Sequence, residues 1–145
     1  MMKLTLKMGE LVCAMALVLL VSQSSFAGPA TDTDSDGVPD VIDNCSTIAN
    51  AGTAGCDSDL DGYGNACDGD YDQNLTTNSN DFLNVFLPDF PTGTMSTNAA
   101  GNPNGTDNDC NGVVNGNDFL NVFLSLFPGT PGPSGLSCAG TAPCL

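Results

Sequence analysis

Apolar residues are concentrated in three short stretches of the chain, and polar residues fill the rest. The first stretch, residues 11–21, is an apolar run behind Lys3 and Lys7. The other two are one octapeptide used twice. Asn80-Asp81-Phe82-Leu83-Asn84-Val85-Phe86-Leu87 returns unchanged as Asn117-Asp118-Phe119-Leu120-Asn121-Val122-Phe123-Leu124, 37 residues later. Apolar side chains in each copy recur at helical spacing. Phe82, Val85 and Phe86 fall on one face, as do Phe119, Val122, Phe123 and Leu126. Helices are therefore predicted from Asp81 and from Asp118, each with a carboxylate in its first turn, where the helix dipole favours it. Pro88 is expected to end or kink the first helix early, and the second to run to about Phe127, before Pro128. The two apolar faces are expected to pack on each other as the core of a duplicated loop-plus-helix.

Elsewhere no periodicity supports regular structure. Residues 28–68 are rich in Asp, Gly and Asn, and Val38, Val41 and Ile42 are their only apolar cluster. Loops with little secondary structure are predicted there. Residues 92–106 read as a Thr/Gly/Asn linker, and residues 129–145 as a Gly/Pro/Ser tail closed by Cys138 and Cys144. Residues 1–27 have the layout of a secretion signal, with small residues at Ser25 and Ala27 for cleavage after Ala27. The apolar run is short for a membrane span, so no membrane insertion of the mature chain is expected. The division that results is 1–27 signal, 28–68 metal-wrapped loops, 69–128 paired loop-helix and 129–145 tail.

Charge sharpens this picture. Beyond residue 27 the chain has sixteen Asp and no Lys, Arg, His, Glu or Trp. Such a polyanion repels itself and forms no internal salt bridge, so it needs an outside cation to become compact. About four to six Ca²⁺ would supply roughly +8 to +12 and turn repulsion into cross-linking. The same composition argues against binding nucleic acid or an anionic membrane, which requires basic side chains. Without His or Lys the usual general bases are missing, and no enzyme is expected. Outside the signal, which contains Cys13, six cysteines remain: Cys45, Cys56, Cys67, Cys110, Cys138 and Cys144. An even number in an exported chain implies disulfides, whose pairing the residues alone leave open.

Fifteen of the sixteen aspartates fall into four twelve-residue frames, and only Asp89 lies outside. The first frame offers Asp32, Asp34, Asp36, the Val38 carbonyl, Asp40 and Asp43. The second offers Asp57, Asp59, Asp61, the Tyr63 carbonyl, Asn65 and Asp68. The third offers Asp70, Asp72, Asn74, the Thr76 carbonyl and Asp81, with Asn78 at position 9. The fourth offers Asp107, Asp109, Asn111, the Val113 carbonyl and Asp118, with Asn115 at position 9. Oxygens at positions 1, 3, 5, 7 and 12 are what a hard cation gathers from a tightly wound loop, so Ca²⁺ is the expected metal. Position 6 calls for a sharp turn through positive φ, which Gly37, Gly62 and Gly112 permit; Leu75 is expected to strain or weaken the third loop. Pro39 at position 8 lacks the N–H through which EF-hand loops pair, so the first frame is not expected to belong to such a pair.

Two resemblances follow from these residues. Asp32-Thr33-Asp34-Ser35-Asp36-Gly37-Val38-Pro39-Asp40-Val41-Ile42-Asp43-Asn44-Cys45 resembles a thrombospondin type 3 repeat, and residues 57–68 resemble the second half of that unit. The resemblance implies a chain wrapped on calcium ions and a Cys45–Cys67 bridge, with Cys56 an insertion in the pattern. Residues 70–128 resemble a dockerin, most closely at Asp107, Asp109, Asn111, Gly112, Val114 and Asp118. That implies docking to a cohesin-like or cell-surface protein through helix faces and loop positions 10 and 11, here Ser79, Asn80, Gly116 and Asn117. The expected fold is a small calcium- and disulfide-stabilised protein of irregular metal-wrapped loops plus two short α-helices, mainly α and dockerin-like. The expected function is that of a secreted, non-catalytic adaptor. A self-assembling fibre or matrix subunit is the alternative, and an accessory of polysaccharide-degrading machinery a remote one.

Overall fold

A computed structural model describes residues 30–51 and 56–144; the predicted signal at 1–27 lies outside the described residues. The two octapeptides form the two main helices. Helix α1 is wound as a wide π-type stretch over Asp81–Phe86 and continues as ordinary α-helix over Leu87–Asp89. Helix α2 repeats this over Asp118–Phe123 and Leu124–Leu126. Contrary to expectation, Pro88 lies inside α1. In the wide stretch the ladder has slipped by one residue, with the Leu87 N–H reaching the Phe82 carbonyl. The missing proline N–H thus falls at the junction of the two windings, between Leu87, which donates to Phe82, and Phe90, which donates to Phe86 at 2.9 Å. Helix α2 stops at Leu126 because Phe127, the residue before Pro128, is extended (φ −94°, ψ 134°).

The helix faces pack as the periodicity predicts. Phe86 and Phe123 are buried, with Phe82, Val85 and Phe119 against them. Ring centroids lie 5.0 Å apart for Phe82–Phe119 and 5.8 Å for Phe86–Phe119, within the range of favourable aromatic pairs. The loops also contribute to this core, which the helical spacing does not reveal. Tyr71, at position 2 of the third frame, and Val114, at position 8 of the fourth, are both buried in it. The Tyr71 hydroxyl donates to Asn108 Oδ1 at 2.6 Å, which joins the two loops at equivalent positions.

Among the described residues, the amino-terminal half contributes nothing to the apolar core cluster. Val41 and Ile42 are 70% and 62% exposed, so this pair stabilises nothing. Short 3₁₀ turns at Asp40–Ile42 and Asn65–Cys67 are its regular structure among the described residues. Three disulfides, Cys45–Cys67, Cys56–Cys110 and Cys138–Cys144, hold the chain. The first is the pair the resemblance implies. The second spans 54 residues and ties the second frame to the fourth. Beside it, Asn108 Nδ2 donates to the Asn65 and Asp68 carbonyls at 2.6 and 2.9 Å.

The tail is no loose appendage. It runs back along the amino-terminal half in a series of backbone hydrogen bonds. Gly132 N–H donates to the Cys67 carbonyl (3.0 Å), Ser46 N–H to that of Pro133 (3.0 Å) and Gly135 N–H to that of Asp43 (2.8 Å). Gly140 N–H then reaches the Asp61 carbonyl at 2.8 Å, and Cys144 N–H that of Leu60 at 2.6 Å. Asp89, the aspartate outside the frames, is buried and organises the linker. Its Oδ2 accepts from Ser96 N–H, Asn104 Nδ2 and Thr106 Oγ1 at 3.0, 2.8 and 2.7 Å.

Candidate metal sites

All four frames share one turn geometry at positions 4 and 6, whatever residue occupies them. Position 6 has positive φ in Gly37, Gly62 and Gly112, and also in Leu75 at 65°. Position 4 has positive φ too, in Ser35, Leu60, Gln73 and Cys110. No glycine marks position 4, so the sequence gives no sign of it. A non-glycine residue in this region costs about 1–2 kcal/mol. The third frame carries that cost twice, at Gln73 and Leu75, in accord with the strain expected at Leu75.

Hydrogen bonds from the loop backbone orient the carboxylates. The position-1 carboxylate accepts the N–H of position 6: Gly37 to Asp32 Oδ2 at 3.1 Å, Gly62 to Asp57 Oδ2 at 2.9 Å and Gly112 to Asp107 Oδ2 at 2.7 Å. Leu75 N–H makes the equivalent bond to Asp70. Position 5 accepts from position 7 in three frames, at 2.8, 2.8 and 2.9 Å for Asp36, Asp61 and Asn111.

The frames divide at position 12. In the third and fourth, this carboxylate folds back over the loop. Asp81 accepts from Asp72 N–H (3.1 Å) and Asn78 N–H (2.8 Å), and Asp118 from Asp109 N–H (3.2 Å) and Asn115 N–H (2.7 Å). Carboxylate oxygens of Asp70, Asp72 and Asp81 thereby come within 4.8 Å of one another, as do those of Asp107, Asp109 and Asp118. In the first and second frames the trios within 4.8 Å are Asp32, Asp34, Asp36 and Asp57, Asp59, Asp61. There the position-12 residue turns forward instead, Asp43 to Cys45 N–H and Asp68 to Asp70 N–H. Position 9 also differs. Asp40 binds the N–H and hydroxyl of Thr33, and Asn65 the N–H and hydroxyl of Ser58, so both fasten position 2 rather than join the trio. In the later frames, Asn78 and Asn115 donate to the position-7 carbonyls of Thr76 and Val113.

The donor set fits a hard cation. Asp32 Oδ1, Asp34 Oδ2, Asp43 Oδ2 and Asp59 Oδ2 are buried without a hydrogen-bond partner. Buried polar side chains outnumber buried apolar ones among the described residues, and most of them are aspartates. Buried anions with no basic side chain to pair with are strongly unfavourable, and bound Ca²⁺ would supply the missing charge. Burial, together with the charge of Asp61, pushes the Asp59 carboxyl up to about 7. Burial, with the charges of Asp57 and Asp70, pushes Asp61 up to about 6. Asp36 is held below the usual range by the N–H groups of Asn50 and Val38.

The raised values give a sign for pH. A carboxyl raised above its unfolded value of ~3.9 stabilises the fold below that value, and this contribution is lost as pH rises through the folded pKa. In chelator, the second frame is therefore expected to be best ordered below about pH 4 and to loosen as pH rises from about 4 to about 7. In calcium the trend should reverse, because protons compete with the metal. Amide exchange of residues 57–68 across this range, with and without calcium, checks both signs.

Comparison with known proteins places these geometries. Residues 30–53 and 56–82 match the thrombospondin type 3 repeat family. Repeats of this kind are structural calcium-binding modules, and the match runs through the third frame to residue 82. Calcium binding by the matched repeats, with the four aspartate clusters and the disulfides, describes a calcium-binding protein of the extracellular type. Among the described residues no helix is long and apolar enough to cross a membrane. No curated protein and no solved structure matches the chain.

Proposed function

We propose that this chain is a secreted, calcium-folded adaptor that docks a protein partner through one face of α1 and α2. One observation carries the reading: the leucines that the duplication repeats are left outside. Leu83 and Leu87 are 54% and 44% exposed, and their counterparts Leu120 and Leu124 are 63% and 46% exposed. Between the helices lies an apolar depression of about 230 Å³ lined by Phe82, Phe86, Leu87, Phe90, Phe119 and Leu120. Clustered exposed apolar side chains of this kind mark interaction sites. Four bound Ca²⁺ would offset roughly half of the aspartate charge, so a partner with an apolar patch rimmed by basic residues is the complement.

Pairing across the duplication supports the dockerin-like reading of residues 69–128. Thr77, at position 8 of the third frame, exchanges backbone hydrogen bonds with Gly129, beyond α2, at 2.9 and 3.1 Å. Val114, at position 8 of the fourth, donates to the Gly93 carbonyl, beyond α1, at 3.0 Å. Each loop is thus fastened behind the other's helix. The ligand set proposed is positions 1, 3, 5 and 7 of every frame with Asp81 and Asp118, and with Asp40, Asp43, Asn65 and Asp68 joining through movement or water.

The test is binding to a cohesin module, with sedimentation run in parallel. The expected result is calcium-dependent binding by a monomer. It should be lost in the Leu83→Asp/Leu120→Asp double variant, which keeps its calcium-induced circular dichroism. Growth into large assemblies in calcium, without cohesin binding, would replace the adaptor with a self-assembling matrix subunit.

A further inference from the structure

The second frame differs from the first and fourth in what covers its turn. Around the glycine turns of the first and fourth frames, a Cβ added to Gly37 or Gly112 would meet nothing within 4 Å. A Cβ at Gly62 would lie 2.5 Å from Cys144 Sγ and 2.9 Å from Ala139 Cα. The loop closed by Cys138–Cys144 therefore sits directly on the turn, where only glycine leaves room for it. Backbone hydrogen bonds fix it there, from Gly140 to position 5 and from Cys144 to position 4. The linker closes the other side. Asn102 Nδ2 donates to the Asp59 carbonyl at 3.0 Å, and a Cβ at Gly105 would lie 3.9 Å from Asp59 Oδ2. As a result Asp59 and Asp61 are 1% and 3% exposed, whereas Asp32, Asp34 and Asp36 of the first frame are only half-buried. Asp59 Oδ2 points into this enclosure without a hydrogen-bond partner.

We propose that the second frame is a locked cation site, and that the Cys138–Cys144 loop is the bolt. This rests on the calcium reading of the frames and adds a property that the loop's own residues do not contain. A divalent cation held by Asp57, Asp59 and Asp61 leaves only when the tail lifts or the linker parts. Its exit rate is then set by local opening of residues 138–144 rather than by the loop's intrinsic affinity. The first site, with three half-buried carboxylates, and the third and fourth, where Asp72 is exposed and Asp109 half-buried and no disulfide loop lies on the turn, are expected to exchange faster. Gly140, Cys144 and Asn102 are positioning residues: they touch the backbone of the frame and provide no ligand.

The experiment is rapid mixing of the oxidised, calcium-loaded chain with an excess of a fluorescent chelator. A fast phase for most of the calcium and a separate phase for about one ion, at least about tenfold slower, are expected. Opening the bolt in the Cys138→Ser/Cys144→Ser double variant should merge the slow phase into the fast one. Asn102→Ala, which leaves every disulfide in place, should accelerate it in the same sense. Unchanged fast amplitudes in both variants report that the remaining loops stay folded. A single fast phase with full calcium stoichiometry would overturn the lock alone, as would a slow phase that both variants leave untouched. Absence of any bound calcium would overturn the calcium reading and the lock with it.

Discussion

Replacing Phe123 with alanine is expected to unfold α1 and α2 even in saturating calcium. Phe123 is 2% exposed and meets Tyr71, Phe82, Phe86, Phe119 and Phe127 at centroid distances of 5.6 to 6.3 Å. Removing a buried phenylalanine costs about 3–5 kcal/mol. A small domain is stable by about 5–15 kcal/mol, and little other apolar burial is present here to absorb the loss. The loops should then lose affinity too, because Tyr71 and Val114 anchor the third and fourth frames in the same cluster. A thermal melt in millimolar calcium, followed by far-ultraviolet circular dichroism, reads the effect directly. A melting temperature within a few degrees of the parent would show that the aromatic cluster is not the core of this half. Leu120→Ala, at a position 63% exposed, provides the control and should leave the melt unchanged.

Asp36→Ala should have the largest effect in the amino-terminal half. One carboxylate oxygen of Asp36 accepts from Val38 N–H at 2.8 Å, and the other from Asn50 N–H at 2.9 Å. The side chain thus belongs to the Asp32, Asp34, Asp36 trio and also ties the loop to the chain beyond Cys45. Loss of a contact that merely supports a metal ligand already reduces affinity about 10–100-fold, and loss of a ligand should cost at least as much. No apolar packing replaces it, given the exposure of Val41 and Ile42. Disorder should spread over residues 32–44 and stop at Cys45, which is bonded to Cys67. Amide exchange measures this; protection of residues 32–44 equal to the parent in calcium would refute the assignment of the first frame. Asp109→Ala, which removes the position-3 ligand of the fourth frame, should weaken its loop while α2 persists on its aromatic face.

The sequence and structure agree where chemistry dictates spacing. A cation that gathers oxygens from a wound loop requires Asp or Asn at fixed intervals, and the trios form at those intervals. The two phenylalanine faces were equally legible, because helical periodicity is local. What could not be read has non-local causes. Ser35, Leu60, Gln73 and Cys110 hold positive φ because the whole loop winds around its position-1 carboxylate, and no residue type advertises it. Asp43 and Asp68 occupy the same frame position as Asp81 and Asp118, but turn forward because no long helix begins beneath them. An ideal helix has no interior place for Pro88, whereas the widened winding before it shifts the ladder and admits it. Without periodicity, the tail offered no hint of the partner it folds onto, and the Cys56–Cys110 bridge joins segments 54 residues apart.

Circular dichroism with light scattering on oxidised residues 28–145, first in chelator and then in millimolar Ca²⁺, tests the central claim most directly. Sixteen aspartates without a basic partner should hold the chelated chain expanded between its disulfides. Calcium should contract it and bring up the helical signal of α1 and α2. An identical spectrum and an identical hydrodynamic radius in the two conditions would contradict the claim that calcium organises this fold.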